Sequence, residues 1–243
     1  FDGTHFKEDN LPYPLWLDMG EDNYAGVTFG NVEDRHVFMG WMSNWWYSNQ
    51  TPTRYFRNSM TIPRDLSLKH NGKHLILAST PSPEIFHARA SEKKIEDFNV
   101  AGEWTMDKIL ADNNGAYEID FTVVPESGNN LTMSLQNTKG EKASFSFDFE
   151  GLMLTLDRSK SGLTDFSPKY VTSDIKTPLV KRSEYRIQIF VDRMSTEMFI
   201  NDGDVVFTNC VFPTENLNSL VFNSESGNFR IKNMSVYEMK SNN

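Results

Sequence analysis

Short runs in which apolar and polar residues strictly alternate recur along the second half of the sequence. Residues 119–123 read Ile-Asp-Phe-Thr-Val, and residues 144–149 read Ser-Phe-Ser-Phe-Asp-Phe. Because successive side chains of a β-strand point to opposite faces of a sheet, each run predicts a half-buried antiparallel strand. Similar runs occupy residues 152–156, 187–191, 198–200, 205–207 and 229–239. No helical pattern is of comparable strength, so the sequence predicts an all-β fold with a sandwich of two antiparallel sheets.

The composition changes near residue 88, which predicts two structural units. All five histidines and four of the five tryptophans precede this point. In the first unit, four strand-like runs are separated by polar or Pro- and Gly-containing turns, a pattern typical of one propeller blade. These runs are residues 23–29, 36–46, 58–62 and 73–78. We therefore expect a blade in residues 1–88 and the sandwich in residues 89–243, joined through an extended Pro81-Ser-Pro segment, with one short helix around residues 91–98.

Charge and composition disfavour several classes of partner. The net charge is −9 and the sequence pI is about 5.1, so the surface would repel nucleic acid and anionic lipid headgroups. No apolar run approaches the roughly 20 residues that a spanning helix needs, which predicts no membrane insertion. The scattered histidines and the single Cys210 predict no metal site, and the lack of a Gly-rich phosphate loop predicts no nucleotide cofactor.

The most unusual segment is residues 40–47, which read Gly-Trp-Met-Ser-Asn-Trp-Trp-Tyr. In an extended strand Trp41 and Trp45 would share one face, and Trp46 would point away. These rings have two interpretations: buried core, since Trp is highly buried on average, or an aromatic platform for a sugar. Asp22 and Tyr24 are nearby polar groups for such a site. The pattern alone does not choose between the two interpretations.

Carboxylate pairs are a second candidate for chemistry, since glycoside hydrolysis uses two carboxylates held about 5 to 9 Å apart. Asp18, Glu21 and Asp22 lie together before a predicted strand, a position typical of a solvated loop. The Glu33-Asp34 pair is typical of a hairpin turn. The sequence therefore predicts no pair of catalytic acid and nucleophile in this chain.

Six motifs, in order, resemble glycoside hydrolase family 32, which includes levanases, inulinases and invertases. The first unit contains Phe1-Asp-Gly-Thr-x-Phe, Trp16-Leu-Asp-x-Gly-x-Asp-Asn-Tyr-Ala, Gly40-Trp-Met-Ser-Asn-Trp and Met60-Thr-Ile-Pro-Arg-Asp-Leu-Ser-Leu. The second unit contains Leu154-Thr-Leu-Asp-Arg-Ser-x-Ser-Gly and Val191-Asp-x-x-Ser-x-Glu-Met-Phe. The resemblance implies the last blade of a five-bladed β-propeller followed by a C-terminal β-sandwich.

The family resemblance also implies a reaction: retaining hydrolysis of β-fructofuranosyl linkages in fructans or sucrose. In the family an Asp nucleophile, a Glu general acid and a second Asp lie in Trp-Met-Asn-Asp-Pro, Glu-Cys and Arg-Asp-Pro motifs. None of these occurs here, because the sequence has no Asp-Pro dipeptide and Cys210 follows Asn209. We therefore expect no catalytic residue in this chain, no activity of the chain alone, and an N-terminal propeller portion as its partner. Polymeric fructan implies a secreted, periplasmic or cell-surface enzyme.

By similarity to the family, the substrate-binding residues are Tyr24 and Trp45, with Asp22 as a further candidate beside them. The sequence departs from the family at Asn23, where Phe is frequent, and at Phe56 and Asn58, where Trp and Gly are common. Structural roles are expected for Trp41 and Trp46. Arg64 is expected to anchor a strand end by pairing with carboxylates or carbonyls. Five further residues are expected to shape turns and edges of the sandwich: Asp157, Arg158, Asp192, Ser195 and Glu197.

Two other functions remain as alternatives. In the first, the chain is a fructan-binding carbohydrate-binding module without catalysis. In the second, it is a structural remnant without a ligand. In every case a lone blade exposes sheet edges and an apolar face, so we expect residues 1–88 to be unstable or to associate when no partner covers them.

Overall fold

A computed structural model describes residues 2–7, 13–72, 74–112, 114–172 and 175–240. Within these ranges the chain is all-β, with three antiparallel sheets and two short 3-10 helices, Ser48–Gln50 and Pro83–Ala88. The described part contains no helix with the length and hydropathy of a membrane span. The strands are β1 (Tyr24–Thr28), β2 (Val37–Met42), β3 (Ser59–Met60), β4 (Arg64–His70), β5 (Leu75–Pro81), β6 (Arg89–Ile95), β7 (Phe98–Val100), β8 (Glu103–Met106), β9 (Tyr117–Pro125), β10 (Asn130–Gln136), β11 (Lys142–Asp148), β12 (Met153–Lys160), β13 (Lys176–Pro178), β14 (Tyr185–Asp192), β15 (Ser195–Ile200), β16 (Val205–Cys210), β17 (Ser219–Asn223) and β18 (Phe229–Met239).

The first sheet contains β1 to β5 in the order β1-β2-β4-β5, with β3 paired to β2. A turn at Glu33 and Asp34 joins β1 to β2, as the acidic pair predicted, and Asp34 adopts a left-handed φ of 58°. The sequence missed β4, because its polar and charged residues interrupt the apolar alternation. The predicted run 58–62 yields only the two-residue β3.

The other two sheets enclose one hydrophobic core. One sheet has the strand order β13-β12-β11-β10-β17-β8, and the other has the order β16-β15-β14-β9-β18-β6, with β7 paired to β18. The inward residues of the alternating runs lie in this core, as the sequence predicted. Fully buried examples are Ile119, Phe121, Phe145, Leu154 and Ile187. The predicted strand at residues 229–239 is β18, with the same bounds.

The seven-stranded sheet is buried on both faces where it meets the first sheet. Every residue of β16 is buried, and five of the six residues of β15 are buried. On the outer face, Phe190, Phe199 and Val206 form a second apolar cluster against which Ile62 packs. The alternating pattern predicted that one face of these strands would be exposed to solvent. In the structure the first sheet covers that face.

The predicted helix around residues 91–98 is wrong. This segment forms β6, whose residues pair with the C-terminal half of β18. Its side chains are mostly exposed, so the local sequence carries no strong apolar period, and pairing with a long neighbouring strand determines its conformation. The connection after Pro81 was predicted to be extended, but Pro83 begins a 3-10 helix in it, because proline fits the first turn of a helix.

Candidate functional site

Three aromatic rings cluster where β1 and β2 meet. Tyr24 contacts Trp41 edge-on with ring centroids 6.3 Å apart, and it contacts Trp45 in the same manner at 6.2 Å. The centroids of Trp41 and Trp45 are 5.2 Å apart. Trp41 is half-buried, whereas Tyr24 is 54% exposed and Trp45 is 68% exposed. The cluster therefore presents two rings to solvent on a packed aromatic base.

Local backbone geometry brings these rings together. Tyr24 lies directly opposite Trp41 in the antiparallel ladder, and the register shifts immediately after it, where Ala25 has a φ of 48°. β2 ends at Met42, so Trp45 reaches the cluster from the following turn rather than from an extended strand. In that turn the Asn44 side chain donates a hydrogen bond to the Glu21 carbonyl (2.9 Å) and accepts one from the Trp46 backbone N–H (3.0 Å).

The two aromatic residues after Trp45 have different environments. Trp46, expected to be structural, is 65% exposed, and the Lys169 ammonium lies 4.4 Å from its ring centroid. Tyr47 is 1% exposed and packs edge-on against Tyr170 of the second unit. Burial raises the pKa of the Tyr47 phenol, and the adjacent Asp22 carboxylate raises it further. Tyr47 is therefore a neutral hydrogen-bonding group at neutral pH.

Asp22 is completely buried, and its carboxylate is shared among three partners. One oxygen accepts a 2.5 Å hydrogen bond from the Tyr47 hydroxyl. The other accepts hydrogen bonds from Arg158 Nη1 at 2.7 Å and from the Cys210 backbone N–H at 2.8 Å. In the structure, the carboxylate of this predicted binding residue is therefore bound within the protein, to Tyr47, Arg158 and Cys210.

Arg158 is the centre of this buried network. Its guanidinium donates to Asp22, to Glu21 (2.9 Å), to the Tyr47 hydroxyl (3.0 Å) and to the carbonyls of Tyr170 and Cys210. Burial alone would lower the pKa of this guanidinium, but the nearby carboxylates and phenols raise it above the usual value. Arg158 is therefore a permanent cation between the two units.

A second buried arginine, Arg64, joins the units in the same way. It pairs with Asp18 through Nη1 (2.7 Å) and with Glu197 through Nη2 (2.5 Å), and its Nη2 also donates to the Thr208 hydroxyl (2.6 Å). Burial raises the pKa of Asp18, but Arg64 and hydrogen bonds from Thr208 and Asn23 hold it below its usual value. The pKa of Glu197 lies above its usual value because burial outweighs the attraction of Arg64.

These networks confirm one sequence interpretation and correct another. Arg64 pairs with carboxylates, as expected. Arg158 and Glu197 were expected at turns and edges of the sandwich, which is wrong, because both are buried and bind residues of the first unit. The alternation contained a signal for both: Arg158 continues the inward series of Leu154, and Glu197 shares a face of β15 with Phe199. A charge at a buried position of a strand requires a partner.

The carboxylates of the acidic cluster before β1 are bound within the protein. Asp18 and Asp22 are buried and ion-paired, and Glu21 binds Arg158 and the Thr172 hydroxyl. Among the residues that the structure describes, no group of three or more His, Cys, Asp or Glu side chains is arranged to hold a metal ion. What the described residues offer here is an exposed aromatic surface close in sequence to a buried, charged hydrogen-bond network.

Comparison with known proteins gives consistent matches along the chain. Residues 84–238 match the family described as "Glycosyl hydrolases family 32 C terminal", and residues 1–79 match its N-terminal domain. The levanase of Bacillus subtilis (strain 168) is 33% identical over 248 residues, which cover 99% of this chain and 36% of the levanase. The extracellular exo-inulinase of Aspergillus niger is 30% identical, over 88% of this chain and 42% of the enzyme.

Solved structures agree with this result. The crystal structure of exo-inulinase from Aspergillus awamori superimposes with a TM-score of 0.80 at 25% identity, covering 99% of this chain and 48% of that chain. A β-fructofuranosidase from Schwanniomyces occidentalis, complexed with fructosyl-erythritol, has the same fold at 20% identity, with a TM-score of 0.76. The chain thus spans about half or less of the length of these relatives. From these matches and its all-β fold, the chain belongs to glycosyl hydrolase family 32.

Proposed function

We propose that this chain forms the C-terminal part of a retaining β-fructofuranosidase that hydrolyses fructans such as levan and inulin, or sucrose. The observation that carries the proposal is the exposed pair of rings, Tyr24 and Trp45, on a buried support within the motifs of the family. Relatives that match along the chain are named levanase and exo-inulinase, and each is longer than the part it shares with this chain.

In this proposal the first sheet is the last blade of a five-bladed propeller, within residues 1–88, and the other two sheets are a β-sandwich within residues 89–243. The antiparallel order of the first sheet and the single core shared by the other two sheets support it. The remaining blades lie in a preceding part of the enzyme, which also carries the catalytic Asp, Asp and Glu.

The proposed role of Tyr24 and Trp45 is to line the fructosyl pocket. A ring face packs on the CH surface of a sugar, and the Tyr24 hydroxyl is available to hydrogen-bond a sugar hydroxyl or a catalytic carboxylate. Asp22 contributes to the site as a support rather than by direct contact, because its oxygens are bound to Tyr47, Arg158 and Cys210. In retaining hydrolysis, one carboxylate then attacks the anomeric carbon while an acid protonates the leaving group.

Location follows from the substrate. Fructan polymers do not cross membranes, and several relatives are named extracellular exo-inulinases. We propose that the enzyme containing this chain is secreted, periplasmic or held at the cell surface.

The test uses a chimera in which this chain replaces the matching part of the Bacillus subtilis levanase. We expect the chimera to release fructose from levan, inulin or sucrose, and the 243-residue chain alone to release none. Trp45→Ala should lower kcat/KM about 10- to 100-fold, because stacking and orientation are lost in the pocket.

The matched control is Trp104→Ala, which removes a ring stacked on Phe98 in the second unit, at a centroid distance of 4.0 Å. It should reduce stability without changing kcat/KM of the folded fraction. A chimera that is folded by circular dichroism but releases no fructose would contradict the proposed hydrolase. If levan in the gel still slows the migration of that chimera in affinity electrophoresis, the non-catalytic binding module is favoured instead.

A further inference from the structure

We infer that Arg158 is a positioning residue: from the second unit, it fixes the two chain segments of the first unit that carry Tyr24 and Trp45. Its relevance to sugar binding rests on the function proposed above. The structural part of the inference concerns only the geometry of the aromatic cluster.

Arg158 binds the first segment at two consecutive residues. Its Nη2 donates to Glu21 Oε2 at 2.9 Å, and its Nη1 donates to Asp22 Oδ2 at 2.7 Å. Tyr24 follows two residues later, and its side chain reaches the cluster from the start of β1. Because the Asp22 side chain is fully buried and the Arg158 side chain is 1% exposed, the contact between them has little freedom to shift.

The second segment is bound through Tyr47. Arg158 Nη2 donates to the Tyr47 oxygen at 3.0 Å, and the Tyr47 hydroxyl donates in turn to Asp22 Oδ1. Trp45 lies two residues before Tyr47, within the turn that Asn44 ties to the Glu21 carbonyl. Each of the three side chains Arg158, Asp22 and Tyr47 is therefore hydrogen-bonded to the other two. These bonds connect the segment that carries Tyr24 to the segment that carries Trp45.

The guanidinium is itself held by the second unit, which allows it to act as a fixed point. Nε and Nη2 donate to the Tyr170 carbonyl at 3.1 and 2.8 Å, and Nη1 donates to the Cys210 carbonyl at 3.1 Å. The guanidinium carbon lies 4.1 Å from the centroid of the Tyr170 ring. A lysine ammonium has no planar fork with which to make these contacts together, so a positive charge alone does not replace Arg158.

A structural experiment tests the positioning without any assay of activity. In the 243-residue chain labelled with 5-fluorotryptophan, the 19F resonance of Trp45 is assigned with Trp45→Phe. Tyr47→Phe removes the hydroxyl but keeps the ring, and we expect it to shift or broaden the Trp45 resonance while that of Trp104 stays in place. Arg158→Lys should do the same.

Tyr117→Phe is the matched control, because Tyr117 is also fully buried and its hydroxyl donates one hydrogen bond, to the Leu217 carbonyl at 2.9 Å. It should leave the Trp45 resonance unchanged. An unchanged Trp45 resonance in both Tyr47→Phe and Arg158→Lys overturns the inference, and so does an equal shift in Tyr117→Phe.

The functional arm uses the levanase chimera. Tyr47→Phe should raise KM for fructan about tenfold with a much smaller change in kcat, since the rings bind the sugar but do not react with it. Tyr117→Phe should leave KM unchanged. If the wild-type chimera has no activity, the proposed function is contradicted but the positioning role of Arg158 is not. The resonance of Trp45 tests that role separately. An unaltered KM in Tyr47→Phe, with a shifted resonance, overturns the link between this position and sugar binding.

Discussion

Two buried arginines, Arg64 and Arg158, connect the segments around the first sheet to the strands of the other two sheets. Arg64 and Arg158 are 0% and 2% exposed, and each binds two carboxylates of side chains before β1 or in β15. Removing such charges from water costs several kcal/mol per ion, which the attraction and hydrogen bonds only roughly offset. Their effect is therefore less on the net stability than on the specificity of the arrangement, because a shifted interface would leave these charges unpaired.

Arg64→Met tests this view of the buried charges. The variant leaves Asp18 and Glu197 without their cation, and we expect the free energy of unfolding to fall by about 3–5 kcal/mol at pH 7. Without Arg64, burial holds the pKa of the Glu197 carboxyl still further above its usual value, and the pKa of the Asp18 carboxyl rises from its lowered value. The folded state then binds protons more readily, so the variant should regain stability as the pH falls from 7 through these raised pKa values.

Urea denaturation at pH 7 and pH 5 measures this loss and recovery. Arg186→Met is the control, because Arg186 also pairs with two carboxylates, Asp120 and Asp202, but its side chain is 44% exposed. Its loss should stay below about 1 kcal/mol. Equal losses for the two variants, or a loss for Arg64→Met that does not shrink at pH 5, would contradict the prediction.

The sequence predicted the strands in which apolar and polar residues alternate. This alternation occurs in β9, β11, β14 and β18, because packing against one common core determines their register. β4 and β6 were missed because pairing with neighbours, rather than an apolar face, specifies them. The aromatic pattern left core and sugar platform open for Trp45, and the family motifs favoured the platform; in the structure Tyr24 and Trp45 are exposed.

The pairing partners of the two buried arginines could not be predicted from local sequence patterns, for a different reason. Arg158 meets Asp22 across 136 positions of the chain, and Arg64 meets Glu197 across 133. A local window shows only a charge at an inward position and not its partner. Asp22 was accordingly assigned to the sugar site, whereas the structure gives its carboxylate three partners within the protein.

The segment before β1 also covers a sheet edge. Backbone hydrogen bonds join Met19 to Val206 (2.8 Å) and Asp22 to Thr208 (3.2 Å), so residues 19–22 run along β16, the last strand of its sheet. Gly20 lies at the closest approach, where an added Cβ would meet the Thr208 carbonyl oxygen at 1.9 Å.

Gly20→Ala should therefore separate this segment from β16. We expect a loss of about 1–3 kcal/mol in the free energy of unfolding, the usual cost of overpacking, measured by thermal or urea denaturation. Gly30→Ala is the matched control, because no atom lies within 4 Å of its added Cβ and its φ is not left-handed. The interpretation fails if the two alanine variants have the same stability.

The first sheet has one region that the rest of the chain covers and one exposed apolar region. Its contact with the second unit buries Ile76 and Ala78. Leu68 lies opposite Leu77 in the ladder of β4 and β5, and their exposures are 73% and 48%, with Leu75 beside them at 57%. Exposed leucines grouped in this way typically mark a contact surface, which in the proposed enzyme would face another part of the propeller.

This exposed group predicts concentration-dependent association of the 243-residue chain on its own. In sedimentation velocity, the double variant Leu68→Ser, Leu77→Ser should shift the distribution towards the monomer, because less apolar surface is buried on association. Leu163→Ser is the control, since Leu163 lies in the second unit and is 43% exposed. Association should also be absent from the levanase chimera, where other blades would cover these leucines. A chain that stays monomeric at every concentration, or that responds equally to Leu163→Ser, would show that this surface has no such role.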